Sequence, residues 1–123
     1  MPQVSLEYTS NIEQTIEFDS IFDQVHEILA RVADIRVDNC KSRARRLDQY
    51  YVGAGKPSHA FVHLEAAILE GRTPEVKKEL GTQILEHLQK HFSPTLEALD
   101  LQITVEIRDI SRAAYFKVPG GTL

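Results

Sequence analysis

Cysteine is nearly absent from this chain: Cys40 is the single one in 123 residues. That excludes an intramolecular disulfide framework and the paired-cysteine metal motifs, and it makes the cytoplasm the expected setting. Basic excess is missing as well. Eighteen acidic side chains against 14 basic ones leave a formal charge of -4 and a pI near 5.7. A field of that sign repels nucleic acid and anionic lipid, so neither is an expected partner, and any anion site has to be local. No stretch approaches the roughly 18 continuous apolar residues of a membrane span, and Met1 to Glu7 lacks the basic flank and apolar run of a signal peptide. Neither export nor a membrane role is expected. An HExxH pattern, a glycine-rich phosphate loop and a Ser-His-Asp order are all missing too. What is present, 42% hydrophobic and 26% charged content, suits one compact domain over residues 1–123.

Val4, Leu6 and Tyr8 alternate with Gln3, Ser5 and Glu7, the period-two signature of a strand with one buried face, and the pattern begins almost at the first residue. After a turn near Ser10-Asn11, Phe18, Ile21, Phe22, Val25, Ile28, Leu29 and Val32 recur at helical spacing, with Asp19 or Ser20 as candidate caps. From Cys40 to about Val52 the chain reads as a polar, arginine-rich strand that ends at the breaker Gly53-Ala54-Gly55-Lys56-Pro57. Ala60 to Leu69 is apolar on one parity and partly so on the other, as expected of an interior strand covered on both faces. Thr73 as cap, Pro74 in the first turn and Glu75 near the positive end of the dipole start a second helix. Its apolar face runs from Val76 to Phe92, where Ser93-Pro94 interrupts it. Leu101 to Arg108 alternates as a fourth strand, and Ala114 to Val118 is a candidate short fifth. The order is β-α-β-β-α-β: an α+β fold with two helices packed on one face of one mixed sheet. Ferredoxin-like and tautomerase-like folds share that order and differ in strand pairing, so periodicity leaves both open.

Several positions are candidates for chemistry. Methionine before a small residue is normally trimmed, so the mature chain is expected to begin at Pro2 with a secondary amine. An α-amino group titrates near pH ~8, and burial or a neighbouring cation lowers that toward the range useful to a base. Taken alone, a proline at position two does no more than permit trimming; the strand that starts at once raises the functional reading, because it anchors the terminus inside the fold. Lys41, Arg43 and Arg45 share one parity of the second strand and form a cationic row suited to a polyanion, or a solvated face that protects a sheet edge. Arg72 falls between a buried strand and a helix start, where a guanidinium and helix amides can hold a carboxylate, although a loop arginine in solvent reads the same way. His87 and His91 are four apart, but no carboxylate or cysteine completes a metal set, and none is expected. His59 and His63 on the interior strand, and Cys40 without a partner base, read as structural.

Pro2 opening a strand, Lys41-Ser42-Arg43, Ala60-Phe61-Val62-His63 and Glu70-Gly71-Arg72-Thr73 together resemble the 5-carboxymethyl-2-hydroxymuconate isomerase family of the tautomerase superfamily. The likeness runs nearly end to end and includes Asn11-Ile12, Phe22 and His91-Phe92. It implies a β-α-β-β-α-β subunit that assembles as a homotrimer. It also implies an amino-terminal proline that moves a proton on an unsaturated polycarboxylate from aromatic-acid breakdown, without cofactor or metal. By that resemblance Pro2 matches the acid/base proline, Arg72 a substrate-binding arginine and Arg43 a second cation of the strand segment. Lys41 departs from the family's arginine, keeping the charge but losing the planar fork that grips a carboxylate. A tautomerase for another 2-hydroxydienoate or an enol-pyruvate therefore stays open, as does a ferredoxin-like module that binds a small anion.

Overall fold

The computed structural model describes residues 2–120. Met1, whose removal is expected above, lies outside the described residues. The elements are β1 (Gln3–Thr9), α1 (Phe18–Ala33), β2 (Lys41–Leu47), β3 (His59–Leu69), α2 (Pro74–His91), α3 (Ser93–Ala98) and β4 (Asp100–Ile110), with short 3-10 turns at Val37–Asn39 and Arg112–Ala114. The strands form one sheet in the order β2-β1-β3-β4. β1 and β2 are parallel, β3 and β4 are parallel, and the two halves meet along an antiparallel β1–β3 seam that sets Gln3 opposite Ala67. In a ferredoxin-like split β-α-β unit the two strands are separated by another. Here β1 and β2 are direct neighbours, so the tautomerase-like pairing is the one adopted.

The alternation in sequence decides which face the helices cover. Val4, Leu6, Ala60, Val62, Leu64, Ala66 and Ile68 are buried beneath Ile21, Val25, Ile28 and Leu29 of α1 and Leu80, Ile84 and Leu88 of α2. Each of the larger side chains in this layer contributes about 1.5–3 kcal/mol by leaving water. Among the described residues the opposite face carries no helix: Phe61, His63 and Glu65 of β3 are half-buried there, so the interior strand is covered by helices on one side and not, as its sequence suggests, on both.

Three local expectations need correction. The residue capping α1 is Glu17, which makes no side-chain cap bond, while Asp19 sits within the first turn, where its charge still complements the dipole. β2 stops at Leu47 because the partner strand β1 ends at Thr9, its register mate, leaving no ladder for Asp48 to Val52. Among the described residues, Ala114 to Val118 pairs with no strand. Ala114 closes a 3-10 turn, and Tyr115 onward is a largely exposed segment held by side chains, described below.

Candidate active site

Pro2 is buried immediately before β1, and the Lys41 backbone N–H donates to its carbonyl at 3.1 Å, where the parallel ladder begins with Gln3 opposite Lys41. The crossover from α1 makes this contact through the turn at Val37–Asn39, where Cys40 N–H donates to Val37 O at 3.0 Å and brings the chain back beside the first residues. The antiparallel seam then places the end of β3, and with it Glu70, Gly71 and Arg72, at this same end of the sheet. Gly71 takes a φ of 123°, a conformation open to glycine, to turn the chain toward α2.

Lys41, Arg43 and Arg45 lie in register with Gln3, Ser5 and Glu7 on the helix-free face. The row does not act as a unit. Lys41 Nζ donates to Asn39 O at 3.2 Å, Arg43 donates to Gln3 Oε1, and Arg45 is 3.7 Å from the Glu7 carboxylate. All three cations are exposed. At about 3.3 Å per residue, Arg45 is roughly 13 Å further along than Lys41, and it has an acidic neighbour. Within the row, Lys41 and Arg43 are therefore the two cations nearer the Pro2 end. Ser42, on the other parity, is held by His26 of α1 at 2.7 Å, which clamps β2 to the helix layer.

Arg72 is half-buried, and its guanidinium donates to Ala33 O at 3.1 and 3.3 Å and to Leu69 O at 3.5 Å. Ala33 is the last residue of α1, followed by Asp34 in the left-handed conformation, so its carbonyl lacks a helical donor. The cation thus caps the negative end of one helix and precedes the N-terminus of the next. The Thr73 hydroxyl there accepts from Val76 N–H at 3.2 Å, as its place in the sequence predicts. Cys40 is half-buried and burial pushes its thiol upward, away from the thiolate, in keeping with a structural reading. His59 and His63 are likewise engaged, with Val52 O at 3.0 Å and Thr104 Oγ1 at 2.7 Å. His63, Glu65 and Glu106 bring three ligand-type atoms within 4.8 Å of one another. Arg108 already sits 3.2 Å from Glu65 and 3.3 Å from Glu106, so this cluster is an ion-pair network on the open face.

Three anchors of the segment after β4 were not visible in the sequence. Gln3 Nε2 donates to the Tyr115 hydroxyl at 3.1 Å, across 112 positions of chain. Arg112 donates through its backbone N–H to the Glu70 carboxylate at 2.7 Å and through Nε to Glu70 O at 3.0 Å. With Lys117 Nζ 3.4 Å from Asn39 Oδ1, the segment after β4 crosses the Pro2 end of the sheet, passing β3, then β1, then the turn before β2. Only the adjacency of Gln3 to Pro2 could have hinted at this.

Two parallel β-α-β halves joined along an antiparallel seam, with both long helices on one face, make this a tautomerase-superfamily fold. The same architecture is found in a fused 4-OT symmetric trimer, a likeness of fold at 12% identity with a TM-score of 0.72 over 96% of this chain and 93% of that one. The chain belongs to the 5-carboxymethyl-2-hydroxymuconate isomerase family, whose model matches residues 2–119. It is 26% identical over 117 residues to a 5-carboxymethyl-2-hydroxymuconate Delta-isomerase of Escherichia coli, covering 95% of this chain and 93% of that protein. A 5-carboxymethyl-2-hydroxymuconate isomerase from Deinococcus radiodurans R1 superposes with a TM-score of 0.87 at 33% identity, over 97% of this chain and 90% of that one.

Proposed function

We propose that this isomerase uses Pro2, freed by removal of Met1, to move a proton on 5-carboxymethyl-2-hydroxymuconate or a close dienol polycarboxylate in the breakdown of aromatic acids. The observation that carries the reading is the position of Pro2: buried, held in the ladder by Lys41, and grouped at one end of the sheet with Lys41, Arg43 and Arg72. The neutral amine takes the proton of the 2-hydroxyl group. As the electron pair moves through the diene, the ammonium returns a proton to the distal carbon, leaving the conjugated 2-oxo acid. No atom is gained or lost. Lys41 and Arg43 hold the carboxylates and offset the negative charge that spreads over the dienolate. The same cations disfavour protonation of the amine and so keep it available as a base near neutral pH.

A second reading is favoured by Lys41 alone. Its ammonium is a point charge, directed in the single chain to Asn39 O at 3.2 Å. A pocket that grips fewer carboxylates would accept 2-hydroxymuconate or an enol-pyruvate equally well. We further propose a homotrimer, in which the helix-free face and the exposed apolar side chains Phe116 and Val118 meet neighbouring subunits.

The test is ultraviolet-monitored ketonisation of both substrates by protein shown by mass to start at Pro2. Pro2→Ala is expected to lower kcat/KM by roughly 10²- to 10⁴-fold, the range for loss of a positioned acid/base group. Equal rates for the variant and the parent would remove the proline mechanism. Equal preference for the two substrates would favour the broader tautomerase.

A further inference from the structure

We infer that Tyr115 is a substrate-binding residue of the Pro2 site, donating its hydroxyl proton to a ligand carboxylate, and that Gln3 is the positioning residue that turns this proton outward. The inference rests on the tautomerase reading for the identity of the ligand, a polycarboxylate. Its geometry rests on the structure.

The polarity of three bonded groups carries it. Arg43 has only donors, so the atom of Gln3 that it meets must be the carbonyl oxygen Oε1. With Oε1 committed to Arg43, the Gln3 amide presents its NH2 to Tyr115, and the phenolic oxygen accepts at 3.1 Å. The orientation of an amide is usually a choice between two equivalents; the guanidinium removes the choice. A hydroxyl carries one proton, and Gln3 occupies it as an acceptor. Among the described residues the Tyr115 O–H donates to no protein group, so its proton is available to a ligand and otherwise to solvent.

The direction matters because of what stands around it. Gln3 follows Pro2, its partner in the ladder is Lys41, and Arg43 is bonded to its side chain. Tyr115 is half-buried, which makes an unmet donor costlier than at an open surface. The segment that carries it is tied down at Glu70 and Asn39 on either side, so the ring is held against the start of β1. A neutral donor beside a lysine and an arginine forms a set suited to carboxylates, and it adds directional selection that two exposed cations lack. It also offers a partner where the lysine at position 41 has given up the arginine fork.

A carboxylate is charged before and after proton transfer, so loss of this bond acts on binding in both states. Tyr115→Phe keeps the ring and is expected to raise KM roughly tenfold to a hundredfold with kcat within about twofold. The same variant should weaken calorimetric binding of tricarballylate, a saturated tricarboxylate, by a similar factor. Gln3→Glu tests the polarity. A carboxylate there accepts from both neighbours and draws the Tyr115 proton inward, but it also adds a negative charge. If the proton matters, part of the loss caused by Gln3→Glu disappears in the Tyr115→Phe background; if only charge matters, the two losses add.

The inference is overturned if Tyr115→Phe, with its thermal midpoint retained, binds tricarballylate within twofold of the parent. It is overturned as well if the parent binds none, or if the two substitutions are additive. Failure of the proline mechanism has a different signature: Pro2→Ala would keep its turnover, whatever Tyr115→Phe does to tricarballylate binding.

Discussion

Arg72 shows how one side chain serves two levels of structure. Its donors reach Ala33 O and Leu69 O, so it ties the end of α1 to the end of β3 beside Pro2. Arg72→Ala strips a charged donor from a helix carbonyl, and we expect a stability loss of about 1–3 kcal/mol in urea unfolding, together with weaker substrate use. Arg72→Lys should recover part of the activity and less of the stability, since an ammonium cannot span both carbonyls with a fixed fork. At position 41 the opposite exchange is informative. Lys41→Arg supplies a planar donor pair, and KM for the tricarboxylic substrate should fall severalfold while kcat stays within about twofold. An unchanged KM would place position 41 outside the substrate's reach.

Among the elements, α2 has the most self-sufficient start: Thr73 caps Val76 N–H, Pro74 sits in the first turn and Glu75 meets the dipole. Thr73→Ala should cost about 1 kcal/mol by chemical denaturation, with little effect on turnover. α1 lacks such a cap and depends on its buried face, Ile21, Val25, Ile28 and Leu29, so its stability is tertiary. Leu64 of β3 is fully buried in the core cluster, and Leu64→Ala is expected to cost about 2–5 kcal/mol. In the sequence of the last segment, Ala114 to Val118 is a candidate short strand. Its anchors are instead side chains of Gln3, Asn39 and Glu70, which no local pattern can announce.

For the whole molecule, three histidines link stability to pH. Burial lowers the pKa of His26, with Asp23 opposing; burial also lowers His87, reinforced by His91 and Lys90, and His91, with Glu17 opposing. In each case the unfolded chain takes up protons at a higher pH than the folded one. Below the ordinary imidazole value near 6.5 the unfolded state therefore binds more protons, and stability falls as pH drops toward the folded values. The thermal midpoint should decline between about pH 7 and pH 5, and less steeply in His26→Gln. A midpoint flat over that range would contradict the sign. Assembly is the second whole-molecule question. Phe116 and Val118 are 87% and 92% exposed in the single chain. The proposed trimer should scatter light at three times 13.9 kDa, and Phe116→Asp should shift it toward smaller species. An undisturbed trimer would place the contact elsewhere.

Local sequence pattern marked the four strands, the two long helices, the buried face of β1 and the capped start of α2, because these depend on neighbours one to four residues apart. It also marked Pro2, the cationic row and Arg72, whose residue types are unusual at their positions. Only the tertiary structure decided that β1 pairs with β2 rather than across an intervening strand, since pairing is a choice among long-range ladders with the same local pattern. It also divided the row, setting Lys41 and Arg43 beside the first residues and Arg45 with Glu7. It aimed Arg72 at a helix end, and it brought Tyr115 to Gln3. Hydrogen-bond polarity between residues 112 positions apart exists only once the chain has closed on itself.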